Sequence, residues 1–168
     1  VTTFDLRTLR LRSGDQARER LEIELEPLLL GGQTYEPRPN PAPAELSVTR
    51  ASSGTVLELV FDVSLEGPCF RCLTDAELPV SLRLREYEAT KPESDEERTE
   101  YLDDDRLDLS AWAHDAIALA LPDKILCRPD CAGLCPVCGK DLNNEPHEHA
   151  EERLDPRWAK LSELQRES

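Results

Sequence analysis

Methionine is absent from this 168-residue chain, which predicts that an initiator has been removed or trimmed. Cations are scarce: 20 Lys and Arg stand against 35 Asp and Glu, for a net charge of −15. That deficit argues against broad, nonspecific contact with nucleic acid or anionic lipid, because both need phosphates neutralised by cations, and it permits a basic partner. Long apolar runs are missing as well. Leu28-Leu29-Leu30 is followed at once by Gly31-Gly32, far short of the ~18 apolar residues of a membrane span. The opening Val1-Thr2-Thr3-Phe4-Asp5 lacks the apolar core of a signal peptide, so the expected compartment is the cytoplasm. No glycine-rich phosphate loop, G-x-S-x-G elbow or metalloprotease helix can be read, and no catalytic residue is assigned.

Period-two alternation is what the chain has in quantity. Leu21, Ile23 and Leu25 alternate with glutamates, Leu46 and Val48 follow, and Leu57 to Leu65 and Leu78 to Leu84 each place apolar residues on one face. Such segments predict an antiparallel sheet, packed on one side and wet on the other. Pro37, Pro39, Pro41 and Pro43 predict a stiff, extended connector. From Glu86 to Asp108 there are 11 acidic residues against three basic ones, which predicts a solvated loop. A helix follows, with Ser110 as N-cap, Trp112, Ala116, Leu119 and Ala120 at helical spacing, and Pro122 as the stop. Asp155 and Pro156 predict a short C-terminal helix carrying Trp158, Leu161 and Leu164. The expected class is α+β: an antiparallel β domain over 1–88, an acidic loop over 89–108, and a helix with a small Cys-rich metal-binding module and C-terminal helix over 109–168.

The six cysteines are the most informative residues. They fall as Cys69-x2-Cys72 and Cys127-x3-Cys131-x3-Cys135-x2-Cys138. A cytoplasmic setting disfavours structural disulfides, so metal or redox readings lead. Cys135-Pro136-Val137-Cys138-Gly139 has the form of a zinc knuckle, and Cys127 and Cys131 supply two more thiolates nearby. These four predict a closed, structural Zn2+ site. Cys69 and Cys72, expected at a hairpin tip, pair with Cys135 and Cys138 in an alternative ribbon-like site. Six thiolates cannot fill two four-ligand sites, so one pair is spare or is completed from elsewhere. His147 and His149 are the candidates for completion, although the plainer expectation is that both are solvated loop residues. An iron–sulfur cluster does not match the spacing. Redox catalysis lacks the helix N-terminus that would lower a thiol pKa at Cys69. Pro68-Cys69-Phe70-Arg71-Cys72 matches half of the zinc deaminase signature, but the required His-x-Glu does not precede it.

The string Leu-Pro-Asp-Lys-Ile-Leu-Cys-Arg-Pro-Asp-Cys-Ala-Gly-Leu-Cys-Pro-Val-Cys-Gly-Lys-Asp-Leu-Asn over 121–143 resembles the bacterial YceD family, the large ribosomal RNA subunit accumulation proteins. Cys-Phe-Arg-Cys-Leu at 69–73 and Asp-Pro-Arg-Trp-Ala-Lys-Leu at 155–161 extend the resemblance over about 55–162. It implies a non-enzymatic role in accumulation of large-subunit ribosomal RNA and in assembly of that subunit. Members lacking the Cys127–Cys138 type of cluster imply that this cluster braces the C-terminal module. The Cys69/Cys72 element, with Arg71 between its thiols, is then the better candidate for the shared function.

Two contact modes are compatible with the charge. Arg71, Arg83 and Arg85, with Phe70 to stack on an unpaired base, form the nucleus of a local RNA patch. The plainer account is that Arg83 and Arg85 balance strand glutamates. Alternatively, the acidic loop at 93–108 engages a basic large-subunit ribosomal protein or steers toward one. A thiol-based redox or metal-handling protein is the rival from another class; no membrane or small-molecule partner is expected.

Overall fold

The computed structural model describes residues 1–94 and 97–149. The chain divides into two compact units, Val1–Cys131 and Ala132–Ser168. The expected C-terminal helix, with Asp155, Pro156, Trp158, Leu161 and Leu164, lies outside the described residues.

The first unit is built on strands β1 (Thr3–Asp5), β2 (Gln16–Ile23), β3 (Leu28–Leu30), β4 (Gln33–Arg38), β5 (Ala42–Arg50), β6 (Gly54–Pro68), β7 (Asp75–Ala89), β8 (Leu102–Asp103) and β9 (Arg106–Asp108), with helix α1 (Leu109–Ala120). Every pairing among these strands is antiparallel. β6 is the spine. β7 pairs with it along its whole length, from Gly54↔Ala89 to Pro68↔Asp75. β5 and β4 share the other edge, over 55–61 and 64–66 respectively. β2 extends the sheet beyond β5, and β3 extends it beyond β4.

The alternation read in the sequence sets the core. Leu57, Leu59, Phe61, Val63 and Leu65 are buried from one face of β6, beside Leu46 and Val48 of β5 and Ile23 of β2. Each such side chain contributes about 1.5–3 kcal/mol relative to an exposed position. Tyr35 of β4 is fully buried, and its hydroxyl donates to the Pro68 carbonyl at 2.9 Å. Gly67 makes room for it: a Cβ there would stand 2.5 Å from the tyrosine ring.

Several local expectations give way to tertiary structure. Pro37 lies in β4 and Pro43 in β5, so the proline segment is two strands joined by a short reversal rather than an extended connector. Proline fits there because each is paired on one side only, Pro37 with Leu65 of β6 beyond the stretch that β3 pairs, and Pro43 with Glu22 of β2 beyond the stretch that β6 pairs. The acidic segment is structured at both ends. Glu86 and Glu88 belong to β7, while β8 and β9 form a hairpin whose turn, Asp104-Asp105, has positive φ at both residues. β9 then pairs with β1 and feeds directly into α1.

The N-cap of α1 is Asp108, whose carboxylate accepts from the Ala111 N–H at 2.9 Å. Ser110 sits inside the helix instead. Its hydroxyl donates to the Glu24 carbonyl at 2.6 Å and accepts from the Thr2 N–H at 2.8 Å. The buried stripe is Leu109, Trp112, Ala113 and Ile117, which leaves Leu119 89% exposed. Leu121 caps the C-terminus ahead of Pro122.

Candidate metal centre and flanking surfaces

The β6–β7 hairpin closes through residues 69–74. The Cys69 N–H donates to the Thr74 carbonyl at 2.7 Å, and the Leu73 N–H donates to the Cys69 carbonyl at 3.0 Å. Leu73 adopts φ +62° to complete the reversal. This tight turn buries both Cys69 and Cys72. A second arm reaches them from the end of α1. The Phe70 N–H donates to the carbonyl of buried Ile125 at 2.8 Å, and the Arg71 guanidinium donates to the Cys131 carbonyl at 2.7 Å. These bonds bring Cys127 and Cys131 onto the hairpin tip.

The result is one donor atom each from Cys69, Cys72, Cys127 and Cys131, all within 4.8 Å of one another. Cys69 Sγ is 3.8 Å from Cys131 Sγ, and Cys72 Sγ is 3.5 Å from Cys127 Sγ. A tetrahedral ion with metal–sulfur bonds of ~2.3 Å has sulfur–sulfur edges of about 3.8 Å. The set therefore has the dimensions of a four-thiolate cage, and it could hold a metal ion. Three of its four residues are buried.

The electrostatics agree. Burial pushes the Cys69 thiol up, but N–H groups of Cys72, Cys127 and Arg71 overcome this and bring it down to about 6. The Thr74 hydroxyl and N–H lower Cys72. Desolvation and hydrogen bonds with the neighbouring thiols push Cys127 up to about 12. Without a cation, then, the cluster favours some thiolates at the expense of others, as crowded like charges must. A divalent ion removes that conflict.

The sequence reading placed Cys127, Cys131, Cys135 and Cys138 in one site. The fold divides them, because the segment after α1 hydrogen-bonds to the hairpin tip as far as Cys131. Cys135 and Cys138 converge instead with His147 and His149, again with ligand atoms within 4.8 Å of one another. These are the two histidines that the sequence offers as candidates for completing a site, and they lie in a segment without helix or strand. Ile125 and Lys124 were missed by sequence reasoning. An apolar pair, Ile125-Leu126, between the stop proline and Cys127 was the available signal for an anchored segment.

The cations singled out for RNA are not gathered into one patch. Arg71 is engaged with Cys131. Arg83 and Arg85 lie on the exposed face of β7, and eight register positions separate Arg83 from Asp75 at the base of the tip. Arg85 faces Glu58 at 4.0 Å, the strand charge balance that was the plainer account. Phe70 is 38% exposed, with the Lys124 ammonium 5.1 Å from its ring centre.

Acidic groups are more concentrated. One concavity of about 450 Å³ is flanked by Glu24, Glu26, Asp108 and Asp115, with His114 at its margin. Another of about 440 Å³ is flanked by Asp5, Glu100, Asp103, Asp104 and Asp108. Asp108 borders both. The cations beside the second are Arg7, paired with Asp104 at 2.5 Å, and Arg106.

A family model described as "Large ribosomal RNA subunit accumulation protein YceD" matches residues 57–165. The chain is 38% identical over 125 residues to the uncharacterized protein Rv2926c of Mycobacterium tuberculosis strain H37Rv, covering 71% of this chain and 60% of that protein. It is 33% identical over 129 residues to the uncharacterized protein ML1660 of Mycobacterium leprae, covering 74% and 59%. Uncharacterized protein YlbN of Bacillus subtilis is 28% identical over 115 residues, covering 64% and 66%. The chain thus spans about three fifths of the length of the mycobacterial relatives it matches. No solved structure matches. No helix among the described residues is long and apolar enough to cross a membrane.

Proposed function

Because the chain belongs to the YceD family of large ribosomal RNA subunit accumulation proteins, we propose that it is a non-catalytic cytoplasmic factor that supports accumulation of that RNA by engaging a basic large-subunit ribosomal protein. The acidic surface around Asp108 is the observation that carries the mode of contact. Two adjoining concavities with carboxylates from β1, α1 and the β8–β9 hairpin suit a Lys- and Arg-rich segment. They would speed its capture by long-range attraction that weakens with salt. A chain of net charge −15 repels RNA over most of its surface. Holding a basic ribosomal protein until its RNA site is ready is work such a surface can do.

In this reading Cys69, Cys72, Cys127 and Cys131 hold Zn2+. Four thiolates leave no open position, so the ion is structural and fastens the segment after α1 to the hairpin tip. Burial of three of the four thiols argues against the redox rival, whose reactive cysteine must be accessible. Direct RNA contact is the second reading, favoured by Phe70 with Lys124 beside its ring at the fastened tip.

A pull-down from the protein's own cell lysate, with and without RNase, separates the readings. Retention of a basic large-subunit protein after RNase, its release by salt, and several-fold weaker retention by Glu100→Lys/Asp103→Lys are the expected results. Retention of large-subunit RNA that Phe70→Ala abolishes would instead favour direct RNA contact. Recovery of neither would overturn both.

A further inference from the structure

We propose that Cys135, Cys138, His147 and His149 form a second metal centre, independent of the four-cysteine set, that takes a divalent ion of the zinc class. This goes beyond the family role and needs no partner. Four donors, one from each residue, lie within 4.8 Å of one another. Donor arithmetic agrees with the grouping: six sulfurs and these two imidazoles make two complete sets of four, with His114 on α1 left out.

The local backbone is shaped for the task. The Gly139 N–H donates to the Cys135 carbonyl and the Cys135 N–H donates to the Lys140 carbonyl, both at 2.8 Å. Gly139 has φ +72°, which lets the chain curl beneath the two sulfurs. His147 Nδ1 lies 2.7 Å from the Glu145 carbonyl oxygen. A carbonyl only accepts, so Nδ1 carries the hydrogen, and in the neutral imidazole a metal needs Nε2 keeps its lone pair. That nitrogen points at Cys138 Sγ, 3.1 Å away. A backbone carbonyl that fixes the far nitrogen of an imidazole is the usual support of a metal-bound histidine. The His149 ring stands perpendicular to His147, 4.9 Å between centres.

The described part of the segment has little apolar core. Among described residues 132–149, Cys135 is the buried side chain of the apolar class, while Val137 is 70% exposed. Among the described residues the other ties are polar: the bridge Leu134↔Asp141, the Leu142 N–H to the Gly133 carbonyl at 2.9 Å, the Ala132 N–H to Asn143 Oδ1 at 2.8 Å, Lys140 to Glu145 at 2.6 Å, and turn bonds such as Asn143 N–H to Asp141 Oδ1 at 2.9 Å. A loop with so little core requires a staple. A disulfide between Cys135 and Cys138 would leave the placement of both histidines unexplained. The two centres differ in charge: two thiolates and two neutral imidazoles balance a divalent ion, whereas four thiolates exceed it by two. The second is also the more open, with Cys138 and His149 exposed.

The test is metal content of the purified full chain loaded with Zn2+, with folding checked by circular dichroism. Two equivalents are expected for the native chain and one for His147→Ala/His149→Ala. Cys69→Ser/Cys131→Ser is also expected to retain one. A native chain with one equivalent, kept by the histidine variant, would overturn the second centre and leave the first standing. Two equivalents unchanged in the histidine variant would overturn the assignment of its ligands. Cadmium-113 resonance of the native chain needs no variant: two signals are expected, one in the four-sulfur range and one in the two-sulfur, two-nitrogen range. A single four-sulfur signal would refute the proposal.

Discussion

The double substitution Cys72→Ser/Cys127→Ser is expected to lower the thermal midpoint on the order of 10 °C. The zinc proposed for the hairpin tip would cross-link residues 55 positions apart in the chain. The chain-entropy relation for closing a loop of that size gives roughly 4 kcal/mol. For a protein of this length each kcal/mol moves the midpoint by about 2–4 °C. The damage is expected to be local first. β6 and β7 keep their ladder of register pairs, while the segment after α1 loses the anchor that holds Ile125 and Cys131 to the tip. Hydrogen exchange is the measurement that resolves this. Protection should fall at Phe70 and persist at Leu59 and Phe61. A midpoint within about 2 °C of the native protein would show that the four cysteines do not act as a cross-link.

Tyr35→Ala is the second large effect, expected to cost about 3–5 kcal/mol, the range for removing a buried aromatic ring. Tyr35 is fully buried, and Gly67 is shaped around it. Burial raises its hydroxyl pKa, and ionisation of Cys69 raises it further. The ring therefore stays neutral beneath the cysteines. Tyr35→Phe keeps the packing and loses only the bond to the Pro68 carbonyl, at a cost of about 1 kcal/mol. Urea denaturation of both variants checks the ratio. Equal losses would mean that the hydrogen bond, not the packing, secures the base of the tip.

The sheet was legible because its signal is local. Alternation at Leu57–Leu65 and Leu78–Leu84 sets the buried face of β6 and the half-buried face of β7, and the turn between them puts Cys69 and Cys72 at the tip as expected. β1, β8 and β9 were not legible, since each is two or three residues long and owes its existence to a partner distant in sequence. The N-cap shifted from Ser110 to Asp108 for a related reason: Glu24 and Thr2, far off in the chain, claim the serine hydroxyl. The donors were all identifiable as residue types, but their division was not. Spacing groups Cys131 with Cys135, whereas the two bonds that bind the segment to the tip come from Phe70 and Arg71, some sixty residues earlier.

The family match begins at residue 57, inside β6, yet β6 is paired on that side by strands that precede it. The matched portion alone would present an open strand edge with Leu57, Leu59, Phe61, Val63 and Leu65 along its face, a template for aggregation. The preceding strands serve as a cover. Ladder bonds join backbone to backbone, but the cover also packs: Tyr35 of β4 and Leu46 and Val48 of β5 are buried beside that face. The cysteine-bearing hairpin therefore depends on a cover contributed from outside the matched residues.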